Sequence, residues 1–125
     1  MTEISDVYVI NVKDSDIQNR ETKHCICISV SKDRYVVINT EHRQMYDDFI
    51  IKASDYPFLK GKDRFVCCAT VHRFLPDRIV SESVGKLKYP DMLKIIEKIQ
   101  NSKVLDKSEK NDIVPDLIEW QLDNS

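Results

Sequence analysis

The chain has 125 residues, 42% hydrophobic and 32% charged, and a formal net charge of −2. That is enough for one ordinary folded domain and too little for two, and the composition is that of a globular protein rather than a disordered one. No apolar run is long enough to cross a bilayer, and the opening MTEISDVYVINV has no basic segment followed by an apolar one, so neither a membrane partner nor export is expected.

The charge is unevenly spread. From Val104 to Ser125 six carboxylates stand against two lysines, a net −4, so residues 1–103 carry +2. A mildly basic body, 1–103, with an acidic C-terminal tail, 104–125, permits nucleic-acid binding without requiring it. The four cysteines form Cys25-x-Cys27 and the adjacent pair Cys67-Cys68, each inside an apolar run. Neighbours on a strand face opposite ways, so Cys67 and Cys68 cannot serve one bridge or one metal site. Cys25, Cys27 and His72 are a conceivable zinc set, but paired C-x-x-C loops are absent. Cysteine as a small buried hydrophobe is the simpler reading; no metal or cofactor is expected, and the location is expected to be the reducing cytoplasm.

In chain order, Asp6–Val12 (DVYVINV) is rich in β-branched and aromatic residues and predicts a first strand. Residues 13–22 have no apolar period and read as a polar loop. His24–Val30 (HCICISV) is apolar at nearly every position, as in a strand buried on both faces. Ser31-Lys32-Asp33-Arg34 connects it as a hairpin to Tyr35–Asn39. Phe49–Lys52 predicts a short strand broken at Asp55–Phe58, and Arg64–Val71 predicts another buried strand, with a turn at Pro76-Asp77. Gly85–Leu87 can close the sheet. Met92, Leu93, Ile95, Ile96 and Ile99 recur at helical spacing behind Pro90, a residue suited to a first helical turn. A second helix over Ser108–Leu122 is expected to be split or delayed by Pro115. Short strands followed by a helix predict a mainly β fold, a compact barrel with a packed C-terminal helix. With two glycines in the whole chain, glycine-rich phosphate loops are excluded.

Five segments, in order, resemble the PemK/MazF family of toxin endoribonucleases. Ser5–Val12 (SDVYVINV) is similar to that family's GD-(V/I)-Y-x-V strand, Thr22–Ser29 (TKHCICIS) to TRPVVVVS, and Val36–Thr40 (VVINT) to the strand ending P-(I/V)-T-(S/T). Asp63–Phe74 (DRFVCCATVHRF) resembles SVVLCDQIRx(I/V), and Val84–Ile96 (VGKLKYPDMLKII) resembles IGKLSDEDMEEV. The resemblance spans Ser5 to Lys103. It implies an SH3-like barrel, a homodimer that cleaves single-stranded RNA without metal, and an antitoxin protein as partner. By position, the family's active-site arginine becomes Lys23 and its threonine or serine becomes Thr40. Arginine has become lysine, which keeps the charge but loses the planar fork suited to phosphate, and the next proline has become His24.

Metal-independent RNA cleavage needs a base, a cation beside the phosphate and an acid for the departing oxygen. Lys23 and Thr40 fit the phosphate; His24 and His42 are the histidines near enough in sequence to move protons. If the two strands pair as a hairpin, Lys23, His24, Asn39, Thr40, His42 and Arg43 gather at one end. Arg20, Asn39, Arg43 and Arg73 are candidate RNA contacts, and Tyr46 a candidate stacking ring. Plainer readings stand beside these: a snorkelling Lys23, a core His24, a solvated His42, isolated surface arginines, and Phe49 and Phe58 as core. The leading expectation is an endoribonuclease of toxin–antitoxin type. A non-catalytic RNA- or protein-binding module on the same barrel is the alternative, and a regulatory protein retaining only the dimer surface a third reading. The acidic tail either packs as a C-terminal helix or lies over the basic site.

Overall fold

A computed structural model describes residues 2–13 and 22–125. Among them, β1 (Asp6–Asn11), β2 (Thr22–Ser29) and β3 (Arg34–Asn39) form an antiparallel meander, followed by β4 (Phe49–Ile51), β5 (Arg64–Val66), β6 (His72–Arg73) and β7 (Gly85–Lys86). Helices α1 (Tyr89–Gln100) and α2 (Lys107–Asn124) complete the order. The strands form one curled, antiparallel half-barrel sheet in the order β4-β5-β3-β2-β1-β7, with β6 also on β3. Residues 14–21 of the expected polar loop, including Arg20, lie outside the described residues.

The sheet is curled because β3 shares one edge between two partners. Its C-terminal half pairs with β5 (Ile38 opposite Val66) and its N-terminal half with β6 (Tyr35 opposite His72). The long strand expected over Arg64–Val71 is therefore interrupted. Cys67 still donates to the Val37 carbonyl, but the next two N–H groups, of Cys68 and Ala69, both turn to the Tyr46 carbonyl. A single 3-10 turn at Gln44–Tyr46 thus pulls the chain off the sheet, and it returns to β3 only at His72.

Alternation along β2 fills two cores. Ile26 and Ile28 face the larger one, with Val7, Val36, Val66, Met92, Ile95, Ile99, Ile113 and Leu117. Cys25 and Cys27 face a smaller one on the opposite side of the sheet, with Tyr8, Ile10, Tyr35, Val37 and Phe74. All four cysteines are buried free thiols; burial pushes Cys25 and Cys27 up to about 12, which keeps them protonated and unreactive.

α1 starts as its sequence dictates, with Pro90 in the first turn and Asp91 beside the helix N-terminus. Its apolar stripe buries Met92, Ile95, Ile96 and Ile99. α2 begins at Asp106, whose carboxylate accepts the Glu109 N–H at 2.8 Å. Pro115 does not split it. The proline and Asn111, whose carbonyl loses its i+4 donor, are both on the exposed face, while Ile113 and Leu117 on the inner face are completely buried. Core packing on one side carries the helix through a defect located on the other. Among the described residues no helix is long and apolar enough to cross a membrane.

Candidate functional site

β2 and β3 pair in the register that opposes Cys25 and Val37, so Lys23 and Asn39 meet at the same end of the hairpin. The Lys23 ammonium donates to the Asn39 side-chain oxygen there. Next to them opens a groove of about 740 Å³ lined by Thr22, Lys23, His24, Thr40, Phe58, Lys60, Lys62 and Arg64, with Val9, Ile38, Leu59 and Val84 as its apolar wall. It therefore contains Lys23, His24 and Thr40 together, and Asn39 reaches it through Lys23.

The segment on the far wall is shaped by its own backbone. Tyr56 is buried, donates to Asp91 at 2.5 Å and accepts from the Lys88 N–H at 3.0 Å, tying the strand β4 exit to the start of α1. A 3-10 turn at Pro57–Leu59 then buries Leu59. Lys60 (φ 54°) and Gly61 (φ 83°) both take the left-handed conformation, which reverses the chain and returns it as β5. Lys60 at this turn, Lys62 after it and Arg64 at the start of β5 all line the groove.

Among the described residues the lining holds three lysines, an arginine and a histidine, and no carboxylate. Elsewhere seven basic side chains have acidic partners: Arg34 with Asp112, Arg43 with Glu41, Lys52 with Asp63, Lys86 with Glu3, Lys88 with Asp55, Lys94 with Asp91 and Lys98 with Asp47. Lys60, Lys62 and Arg64 form no ion pair among the described residues. His24 is half-buried and its ring stacks on Phe58 (5.8 Å, 21°). Burial, then the Lys60 and Arg64 charges, hold its pKa below the ordinary histidine value, which favours the neutral imidazole at pH 7, able to accept a proton.

Other candidates lie elsewhere. His42 does not line the groove; its Nδ1 meets the buried Asp48 carboxylate and its ring leans on Phe65 at 5.8 Å. Arg43 is paired with Glu41 at 3.5 Å and lies over the Tyr46 ring at 5.9 Å. Tyr46 is half-buried against the smaller core. Arg73 stands on β6 opposite Arg34, at the far end of β3 from Asn39, roughly 17 Å away by strand rise. Arg20 falls outside the described residues. The residues that sequence reasoning missed are Lys60, Lys62 and Arg64; Phe58, assigned to the core, packs against the larger core and lines the groove as well. A signal was present in Lys60-Gly61-Lys62-Asp63-Arg64, where three cations stand within five residues around a glycine.

The tail does not cover this groove: no α2 residue lines it. Asp116 instead accepts hydrogen bonds from Ser29 (2.5 Å) and Ser31 (3.0 Å), at the opposite end of β2 from Lys23. No protein-family model matches the chain, and no curated protein matches it.

Proposed function

We propose that this groove binds single-stranded RNA on a PemK/MazF-like, SH3-like barrel and is a centre of metal-independent strand cleavage. The observation that carries the reading is the grouping of Lys60, Lys62 and Arg64, which form no ion pair among the described residues, around the cleft that Lys23, His24 and Thr40 also line. Such a cleft concentrates a polyanion. The His24 ring, stacked on Phe58, and the apolar wall suit exposed base faces, which a single strand presents and a duplex does not.

In the cleavage step, neutral His24 takes the proton of a ribose 2′-hydroxyl. The 2′-oxygen bonds to phosphorus as the P–O5′ bond breaks, and the departing 5′-oxygen takes a proton, leaving a 2′,3′-cyclic phosphate and a 5′-hydroxyl. Lys23 opposes the charge that grows on the phosphoryl oxygens, and the Thr40 hydroxyl orients the phosphate by a hydrogen bond. A second reading, binding without cleavage, is favoured by the engagement of the Lys23 ammonium with Asn39 and by His24 being the sole histidine in the lining. In the cleavage reading the proton taken by the 5′-oxygen comes from a groove lysine or from solvent water. A homodimer and an antitoxin partner belong to the first reading.

Incubating the protein with a long unstructured RNA in EDTA and mapping the ends separates them. Cleavage with cyclic-phosphate ends, reduced about 100-fold or more by Lys23→Ala and by Thr40→Ala and retained in Lys23→Arg, is the expected result. Binding without cleavage selects the second reading. Cleavage indifferent to both alanine substitutions removes this site.

A further inference from the structure

The chain's two glycines have opposite reasons for being glycine. Gly61 needs its backbone freedom: φ is 83° and a Cβ there would meet nothing within 4 Å. Gly85, on β7, has no such dihedral, but a Cβ built on it would lie 2.7 Å from Phe58 Cδ1 and 3.1 Å from Cε1. The first distance is closer than real side chains approach, so the phenyl ring rests on the backbone of β7 at a spot that only glycine leaves open.

The strand order explains what the ring does there. β1 lies between β2 and β7, with Val9 opposite His24 and Val7 opposite Gly85. His24 and Gly85 therefore flank β1 on one face of the sheet, at a two-strand separation of roughly 10 Å. Phe58 bridges that span: it touches Gly85 on one side and stacks on the His24 imidazole on the other. The ring is also held from behind by Tyr56, at 5.7 Å, itself fastened to α1.

We propose that Gly85 and Phe58 are positioning residues, which together fix the place and orientation of the His24 imidazole in the groove wall. The bearing of this stack on RNA rests on the reading of the groove given above. Among the described residues the charged groups that act on His24 are Lys60 and Arg64, both cationic. Loss of the Phe58 cover would expose the imidazole to solvent and relieve the burial that keeps it unprotonated.

The test reads His24 in the RNA-free protein, by NMR titration of the histidine ring protons, with His24→Gln to assign the resonance. Gly85→Ala should raise the His24 pKa measurably, towards the ordinary histidine value. Phe58→Ala should do the same. The double variant should match Phe58→Ala alone, because the alanine methyl then has no ring to displace. In the binding assay, Gly85→Ala should weaken single-stranded RNA about 5- to 10-fold, the scale of one lost stacking contact. An unchanged His24 titration in Phe58→Ala overturns the proposal, and this arm stands even where Gly85→Ala fails to fold. Strictly additive effects in the double variant overturn it as well. Wild-type protein that shows the titration pattern but binds no RNA refutes the RNA reading and leaves the stack in place.

Discussion

The salt dependence of RNA binding follows from the groove's inventory. Four permanent cations line it, Lys23, Lys60, Lys62 and Arg64. On a single strand each neutralised phosphate contributes about −0.7 to the slope of log affinity against log salt, so the wild-type slope should be about −2.8. Between about 50 and 200 mM KCl this is roughly a 50-fold loss of affinity. Replacing Lys60, Lys62 and Arg64 together by glutamine leaves Lys23, and the slope should fall to about −0.7, a loss of roughly 3-fold over the same range. All three sites are away from the buried core, so the variant should remain folded. Fluorescence anisotropy with a short, labelled 2′-O-methyl oligonucleotide, which cannot be cleaved at the 2′-oxygen, measures the slope in isolation. Arg43→Gln with Arg73→Gln is the matched control: both arginines lie outside the groove, and the slope should change little. A wild-type slope near zero, or a triple variant with an unchanged slope, would refute the assignment of this cleft as the phosphate-binding surface.

Two further predictions concern the scaffold. Ser5 is completely buried at φ 79°, and its hydroxyl has no hydrogen-bond partner among the described residues; it stands where the resembling toxins carry glycine. Ser5→Gly removes a left-handed penalty of about 1–2 kcal/mol and an unsatisfied hydroxyl, against about 0.5–1 kcal/mol of added chain entropy. Thermal unfolding should show net stabilisation of about 1 kcal/mol, and a lower Tm would show that the hydroxyl or its Cβ supports the fold. Leu117→Ala, at a completely buried α2 position in the main core, should cost about 2–5 kcal/mol by denaturant titration without strengthening RNA binding. Tighter RNA binding at undiminished stability would instead make the tail a cover for the groove.

Much of the architecture was legible because it depends on local pattern. The two-residue alternation of Asp6–Val12, the doubly apolar HCICISV run and the helical stripe from Met92 to Ile99 each specify an element and its buried side, whatever packs against it. The hairpin also follows locally, since a short polar link between two apolar strands makes them antiparallel neighbours. That pairing alone brings Lys23 to Asn39 and places His24 and Thr40 at the same end. What the sequence could not settle depends on partners distant along the chain. Arg64–Val71 has the composition of one strand, and it is the Tyr46 carbonyl, more than twenty positions earlier, that takes the N–H groups of Cys68 and Ala69 and ends it. Pro115 argues locally for a broken helix, and the burial of Ile113 and Leu117 against β-strands from the other end of the chain overrides it. The basic groove is of the same kind. Lys60, Lys62 and Arg64 read as scattered surface charge until the left-handed turn at Lys60-Gly61 swings them opposite Lys23. Gly85 reads as a strand residue like any other until Phe58 is laid across it. Side-chain direction is written in the local period, but which charges face one another across a cleft is set by how the sheet curls.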